Sequence, residues 1–489
     1  MIPILYKLRD CIRFEDGDAS TLVVSEVPLN VVLASKRAAR VLRLCDGKRT
    51  LLEIARETGM AEERVFGICD YFNKKSVLET AITGNQGYFP FITAIIPTWN
   101  RGESLVECLT SVFSQDYPSD HVEVIVIDDG SRDETQKLAS AFPCMLLSNP
   151  ESRGQSYCRN LGARHAKGEI LAFLDDDCVA GGSWLKDLVP YLQWEKVGSV
   201  GGYVDGYSDR SALDRYEKEF SLLNLGRYIQ RGANDGSTFY VPTCNLLVRK
   251  EAFFETGGIR ETLHLGEDVD FCWRMRDAGW QALYVPSGTV KHKHRNTLGA
   301  MLRRRADYGS SEAVLYALHP RRRKTLQMRP AAAAAFLGIC LSIVFLTPLP
   351  LVVTAGCFVA EAAAKVLNLR KKRAGIPAPR ILSSVLRIYV SYFYILSFHL
   401  IRYYLVPLLL LGFAFPPLWS LAFALLLFTA FVDYSAKRPR LSFPPFLSYY
   451  TLDQLGYQLG ALAGCLRARS LRSYRPRMEK RYEFHGFNP

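Results

Sequence analysis

Three consecutive carboxylates, Asp175, Asp176 and Asp177, end the short apolar run Ile170 to Leu174. A bare apolar run of this length, stopped by Gly168 on one side and by acids on the other, reads as a buried strand. Open α/β sheets bind ligands at the C-terminal ends of their strands. Like charges crowded at such an end call for a counter-charge, and hard oxygen donors suit Mg²⁺ or Mn²⁺. Taken alone, the triplet reads equally well as a solvated acidic turn.

Two further apolar runs end in polar clusters, Pro97-Thr98-Trp99-Asn100 and Asp128-Asp129-Gly130-Ser131. Acids at the second of these ends can accept hydrogen bonds from a nucleoside's ring N–H and ribose hydroxyls, while the third set can hold a cation against a diphosphate. Glu267-Asp268 follows Gly266 at the start of a helical stretch, Val269 to Ala278, where the helix dipole favours carboxylates. Plain capping explains that placement; so does a general base for an acceptor hydroxyl. His292 and His294 alternate as on a strand, both toward one face.

The elements that must carry these groups follow from periodicity. Phe91 to Ile96 is a predicted strand stopped by Pro97, Ser104 to Ser114 a helix with Leu105, Cys108, Leu109 and Val112 on one side, and Val122 to Ile127 a second buried strand. Strand, helix, strand predicts a parallel, Rossmann-like α/β sheet. No G-x-G-x-x-G follows the first strand, which argues against a nicotinamide dehydrogenase.

IIPTWNR, VIVIDDGSRDET, NPESRGQSYCRNLGARHAKGEILAFLDDDC and GEDVDFCWRMRDAGW stand in the order and spacing of the family 2 glycosyltransferases, and about two hundred residues resemble that family. The resemblance implies a GT-A fold over residues 86–301, a nucleotide-sugar donor such as a UDP-sugar, and a divalent cation, Mg²⁺ or Mn²⁺. By the same resemblance Pro97, Thr98, Asn100, Asp128, Asp129, Arg153 and Gly154 line the nucleoside pocket, and Asp175 and Asp177 form the DxD pair beside Asp176. Asp177 is then the direct metal ligand with His292, favoured over His294, and Asp268 the catalytic base oriented by Glu267. A QxxRW motif, characteristic of processive synthases, does not follow the ED pair.

Residues 1–85 read as a hairpin around Asp16-Gly17-Asp18, a helix bearing Ala38, Val41 and Leu42, a helix opened by the capping box Thr50/Glu53, a third over Glu62 to Lys74, and a wing at Val77-Leu78. A winged helix invites a nucleic-acid reading, but residues 1–80 sum to only +1 and the third helix carries Glu62, Glu63 and Asp70. Phosphate binding needs a concentrated basic footprint, so nucleic acid is not expected. The stretch from Leu29 to Glu57 resembles PqqD-like domains, which implies a precursor peptide added as a strand to the hairpin edge. Gly84 to Gly87 reads as the linker to the core.

The net charge of +13 divides unevenly, −6 over residues 1–301 and +19 over 302–489. A mildly acidic front and a basic, apolar rear indicate a catalytic part followed by a membrane-associated helical part. No charged residue lies between Arg329 and Glu361, or between Arg402 and Asp433, and each run exceeds the roughly 20 residues of a spanning helix. Prolines near the middle, Pro348 and Pro350, then Pro416 and Pro417, leave a kinked span or a helical hairpin in each. Basic flanks on both sides of both runs favour hairpins with every flank on the cytoplasmic face of the cell membrane. Arg303 to Arg305 and Arg321 to Lys324 are expected to rest on anionic lipid. Twelve cysteines with no CxxC pair suggest a reducing compartment, and charge within the first seven residues reads against a secretory signal. Two acceptor classes remain open. The three parts together resemble glycosyltransferases that move glucose from UDP-glucose to a redox cofactor made from a ribosomal peptide; a cell-envelope or lipid-linked sugar acceptor is the alternative.

Overall fold

The computed structural model describes residues 4–480 except 19, 27–28, 76, 83–86, 228, 233–237, 295 and 372–376. The N-terminal unit contains β1 (Ile4–Leu8), β2 (Ile12–Asp16), β3 (Ser20–Glu26), β4 (Leu29–Ser35), α1 (Lys36–Leu44), α2 (Leu51–Thr58), α3 (Glu62–Lys74) and β5 (Leu78–Ile82). β2, β3 and β4 form an antiparallel sheet in that order. Ser35 caps α1, Thr50 and Glu53 cap α2 reciprocally, and Gly59 ends α2 at φ 67°, a left-handed turn that glycine adopts without strain. The apolar faces of the three helices meet Tyr6 and Val23 in one core. The strand expected as a wing pairs instead with β1, Leu8 opposite Leu78, closing the unit through its own N-terminus. Of the expected linker, Gly84, Asn85 and Gln86 lie outside the described residues.

The central part runs β6 (Ile92–Thr98), α4 (Gly102–Phe113), β7 (Val122–Asp128), α5 (Thr135–Ala139), β8 (Met145–Ser148), α6 (Gln155–His165), β9 (Ile170–Leu174), β10 (Cys178–Ala180), α7 (Trp184–Leu188), β11 (Val197–Gly201), β12 (Val204–Gly206), α8 (Ala212–Phe220), β13 (Gln230–Gly232), β14 (Asn245–Arg249), α9 (Lys250–Glu255), α10 (Glu267–Asp277), β15 (Gln281–Tyr284) and β16 (Val290–His292). Eight strands make one sheet in the order β13-β15-β11-β14-β9-β6-β7-β8. The sheet is mixed rather than wholly parallel: β14 runs antiparallel to both β9 and β11. Pro97 does not stop the first strand. β6 pairs with β7 as far as Thr98 opposite Asp128, but with β9 only as far as Ile95 opposite Phe173. Pro97 lies beyond the last pair on the β9 side, where a missing N–H breaks no ladder bond. β6 and β9 are buried along their whole length, with apolar clusters on both sheet faces. Continuous rather than alternating apolar strands follow from that two-sided burial.

The rear consists of α11 (Leu298–Leu318), β17 (Thr325–Met328), α12 (Pro330–Phe345), α13 (Leu349–Lys371), α14 (Ala378–Leu411), α15 (Pro417–Lys437), α16 (Phe443–Arg467) and β18 (Arg477–Lys480), which pairs with β17. Each uncharged run folds as two helices joined at its prolines. Leu349–Asn368, α14 and α15 are long and apolar enough to cross a membrane, and α12 is shorter. Pro407 inside α14 cannot donate to the carbonyl of Tyr403; the buried Gln458 side chain donates to it instead at 2.6 Å, and its Oε1 accepts from Val406 N.

Of the arginines expected to face lipid, Arg303 and Arg321 are exposed, whereas Arg305 and Arg322 are corrected by their burial. Arg305 and Arg322 are each 2% exposed. Arg305 pairs with Glu217 and Asp453, Arg322 with Asp277, and Lys324 with Glu312. Arg402, at the edge of the second uncharged run, is likewise buried against Asp453 at 3.0 Å. Except for Glu312, the acids that neutralise these cations lie far away in sequence, so a tally of local charge leaves them out.

Candidate active site

Every strand end that carries a polar cluster opens on one cavity of about 330 Å³, and a recess of about 40 Å³ adjoins it. Pro97, Thr98 and Trp99 come from the end of β6, Asp129 from the end of β7, Asp175 to Asp177 from the end of β9, and His292 and His294 from β16 and beyond. β16 lies beside β10, with Cys178 opposite His292, and this register carries the histidine to the acid cluster.

Asp129 is held by four donors: Asn149 Nδ2 and Arg153 N on Oδ1, Ser152 Oγ and Gly154 N on Oδ2. Burial works against its charge, yet these hydrogen bonds keep its pKa below the ordinary carboxylate value. Gly154 makes its contact at φ 90° as the residue preceding α6. Asp128 stands apart. It is fully buried, its oxygens accept from Ser131 N and Gln136 Nε2, and it does not line the cavity. Asn100, at φ 52°, ties the two loops together: its N–H donates to Ser131 Oγ and its Oδ1 accepts from Arg132 N. Arg153 is exposed with its guanidinium 3.5 Å from the Tyr157 ring centre, so only its backbone joins the site.

The three consecutive aspartates have separate partners. Asp176 accepts from Thr98 Oγ1 at 2.8 Å and from Arg101 at 2.9 Å, and burial pushes its pKa up to about 6. Asp177 offers Oδ2 to Arg101 at 2.6 Å and Oδ1 toward His292 Nε2 at 3.4 Å. Asp175 is bound by Arg159 at 2.6 Å. His294 Nδ1 lies 3.2 Å from His292 Nδ1, and burial, then the neighbouring ring, lowers the His294 pKa to about 3, which keeps that ring neutral.

Glu267 and Asp268 share the first turn of α10 but not their surroundings. Glu267 is 5% exposed and accepts from Gln155 Nε2 at 2.6 Å and Arg159 Nη1 at 3.2 Å. Asp268 lines the recess with Arg304 and Tyr308 of α11. Burial, followed by the charge of Glu267, raises its pKa to about 7. Glu267 is thus held in place by two donors, whereas Asp268 titrates near neutrality.

Arg101, Gln155, Arg159, Arg304 and Tyr308 were not among the residues expected from sequence. Gln155 and Arg159 stand one turn apart on α6 inside the quoted motif, a spacing that puts both on one face. Arg304 and Tyr308 belong to a stretch whose basic residues suggested lipid contact instead.

This mixed sheet, with carboxylates gathered at its strand ends, defines a glycosyltransferase core of the GT-A class. Residues 93–256 match the family model "Glycosyl transferase family 2". The chain is 31% identical over 250 residues to the pre-mycofactocin glycosyltransferase of Mycobacterium tuberculosis, covering 50% of this chain and 52% of that one. It is 30% identical over 236 residues to glycosyltransferase AglE of Haloferax volcanii, covering 47% of this chain and 75% of the relative. The chain belongs to glycosyltransferase family 2. It spans about half the length of the first of these relatives. Among solved structures, the mannosyltransferase PcManGT from Pyrobaculum calidifontis, in complex with GDP-Man and Mn²⁺, aligns with a TM-score of 0.39 at 21% identity, covering 64% of this chain and 88% of that one.

Proposed function

We propose that the protein is a metal-dependent, inverting hexosyltransferase that moves a sugar, glucose from UDP-glucose being the first choice, onto a mycofactocin-like redox cofactor made from a ribosomal peptide. The observation that carries the reading is the shared cavity. Asp129, suited to a nucleoside, lines the main cavity with the aspartate triplet, and Asp268, suited to an acceptor proton, lines the recess, the two sharing Asp175, Gln155 and His292 as walls.

A divalent cation fits the donor set. Ligand atoms of Asp177 and His292 lie within 4.8 Å of each other, in company with the Cys178 thiol. Burial raises the Cys178 pKa, which leaves that sulfur a protonated core group and the carboxylate and imidazole as the ligands, with Asp175 and His294 alongside. The cation would supply charge stabilisation for the departing nucleoside diphosphate. The protein's own groups do the rest. Asp129, Pro97, Thr98 and Gly154 seat the nucleoside, and Arg101 bridges Asp176 and Asp177 through one nitrogen and offsets their charge. Asp268 takes the acceptor's proton as the oxygen attacks the anomeric carbon, and Glu267, held by Arg159, orients that end of the site. A single displacement inverts configuration and needs no nucleophilic carboxylate.

The N-terminal unit is read as a PqqD-like recruiter that takes a precursor peptide along β2, one edge of its sheet. The rear anchors the chain to the cell membrane with the catalytic core on the cytoplasmic side. The apolar helices also support a second reading, transfer to a cell-envelope or lipid-linked acceptor.

Incubating the purified full chain with UDP-glucose and other nucleotide sugars, Mg²⁺ or Mn²⁺, and either a peptide-derived acceptor or a polyprenyl phosphate separates the readings by mass. A hexose increment on the peptide-derived acceptor alone supports the first. Transfer only to the polyprenyl phosphate replaces it with the second.

A further inference from the structure

The wall of the cavity that faces the strand ends comes from beyond the family match. Arg304 and Tyr308 of α11 line both the main cavity and the recess of Asp268, with the Arg304 guanidinium 4.5 Å from the Tyr308 ring centre. The adjacent Arg305 donates through Nε to Asp453 at 2.7 Å and through Nη2 to Glu217 at 2.8 Å. Asp453, on α16, also accepts from Tyr216 Oη at 3.1 Å and Arg402 Nη1 at 3.0 Å. Around this pin the two helices meet at backbone distance. A Cβ on Gly460 would lie 1.9 Å from the Ala306 carbonyl, one on Gly464 2.3 Å from that of Ser310, and one on Gly309 2.2 Å from that of Tyr457.

We propose that the C-terminal helices form one wall of the active site and that Asp453 is a positioning residue, fixing through Arg305 the turn of α11 that presents Arg304 and Tyr308 to the acceptor end. The inference rests on the reading of Asp268 as the base. Two buried arginines and two buried carboxyl groups meeting in one place are weak stabilisers, since well-packed apolar residues do as well or better. Their directional bonds do something apolar contacts do not: they set the rotation and register of α11 against α16 and α8. The membrane-associated part is then a component of catalysis as well as an anchor.

The test uses the full chain in detergent with Asp453→Asn, which keeps the shape and removes the charge, and Asp453→Glu, which restores it. In Asp453→Asn, kcat is expected to fall about tenfold or more, since small misplacements of reacting groups carry large rate penalties. Donor KM should stay within about twofold. Asp453→Glu should recover part of the rate. Hydrogen exchange should rise across residues 298–310 while the strands ending at Thr98, Asp128 and Leu174 keep their protection. Wild-type kcat together with unchanged exchange in α11 overturns the proposal. So does an equal loss of nucleotide binding and of protection throughout, the mark of a merely structural role. If the wild-type chain transfers no sugar, the functional reading fails and the exchange result still decides whether Asp453 pins α11. Should Asp453→Asn not fold, Arg304→Gln carries the test: kcat must drop with donor KM unchanged, and an unaltered kcat overturns the assignment.

Discussion

Arg159 meets Asp175 at 2.6 Å, and the other arm of the same guanidinium lies 3.2 Å from Glu267, so one buried cation joins the end of β9 to the first turn of α10. Its side chain is 1% exposed. Burial opposes the charge, but the two carboxylates hold the group firmly protonated.

Replacing that cation is expected to be expensive. Arg159→Leu leaves two carboxylates at the cavity without their counter-charge, and breaking a buried pair in this way costs about 3–5 kcal/mol. Urea unfolding should show a loss of that order. Arg49→Ala, by contrast, removes pairs to Asp46 and Glu57 whose side chains are all more than a third exposed, and the loss should be at most about 1 kcal/mol. Comparable losses in the two variants would contradict the assignment of Arg159 to a buried link.

Asp268 gives the pH dependence. Its carboxyl is faced by Glu267 on its own helix, by Arg159 from α6, by Arg304 and Tyr308 from α11, and by Tyr240 ahead of β14. With its pKa raised to about 7, it is protonated and inactive as a base below that pH, so kcat/KM should fall as pH drops through about 7. Stability runs the other way. The unfolded chain gives up this proton near the ordinary aspartate value and the folded chain holds it to about 7, so ionisation weakens the fold as pH rises between the two. Asp268→Asn should therefore lose activity by roughly 10²–10⁴. It should also melt higher than wild type at pH 8, with the gap closing toward pH 4. A pH-independent kcat/KM would remove Asp268 from the base role.

The strands and caps were legible in the sequence, though not the end of β6 beyond Pro97, because continuous apolar runs and local capping patterns act within a few residues. The helix over Glu62 to Lys74 and the Thr50/Glu53 box needed no tertiary information. The antiparallel β14 was not legible, since an antiparallel strand buried on both faces has the same apolar composition as a parallel one. The site divides in the same way. The aspartates and histidines announce themselves by type, whereas Arg101, Arg159 and Arg305 owe their roles to acids that only folding brings near. Asp128 shows the converse: its side chain is taken up within the loop, by Ser131 N three residues on and Gln136 eight residues on, and lies outside the cavity.

The metal assignment predicts an unequal response among the acids. Asp177→Ala and His292→Ala should abolish metal-stimulated turnover and weaken Mn²⁺ binding measured by electron paramagnetic resonance. Asp176→Asn keeps one oxygen to accept from Arg101 and gains an amide that can donate to Thr98 Oγ1, and it should lower Mn²⁺ affinity by only about tenfold, the low end for an outer-sphere partner. Full activity of wild type in the presence of a strong chelator would refute a metal role altogether.

The glycine seam of α16 makes the last prediction. Gly456, Gly460 and Gly464 recur every four residues and so occupy one face, and α11 packs against that face closely enough for backbone atoms to touch. Small residues at this spacing let helix axes approach and add dispersion contacts along their length. A side chain at Gly460 has no rotamer that escapes, because the obstructing atom is the Ala306 carbonyl rather than a movable side chain. Gly460→Val must push the helices apart, at a cost of about 1–3 kcal/mol or more for overpacking. Gly299, at the start of α11, has open space where a Cβ would stand, and Gly299→Ala should be neutral or slightly stabilising through helix propensity. Thermal melts of the two variants in the same detergent test this. A Gly460→Val protein as stable as wild type would mean that α11 and α16 are not packed at backbone distance.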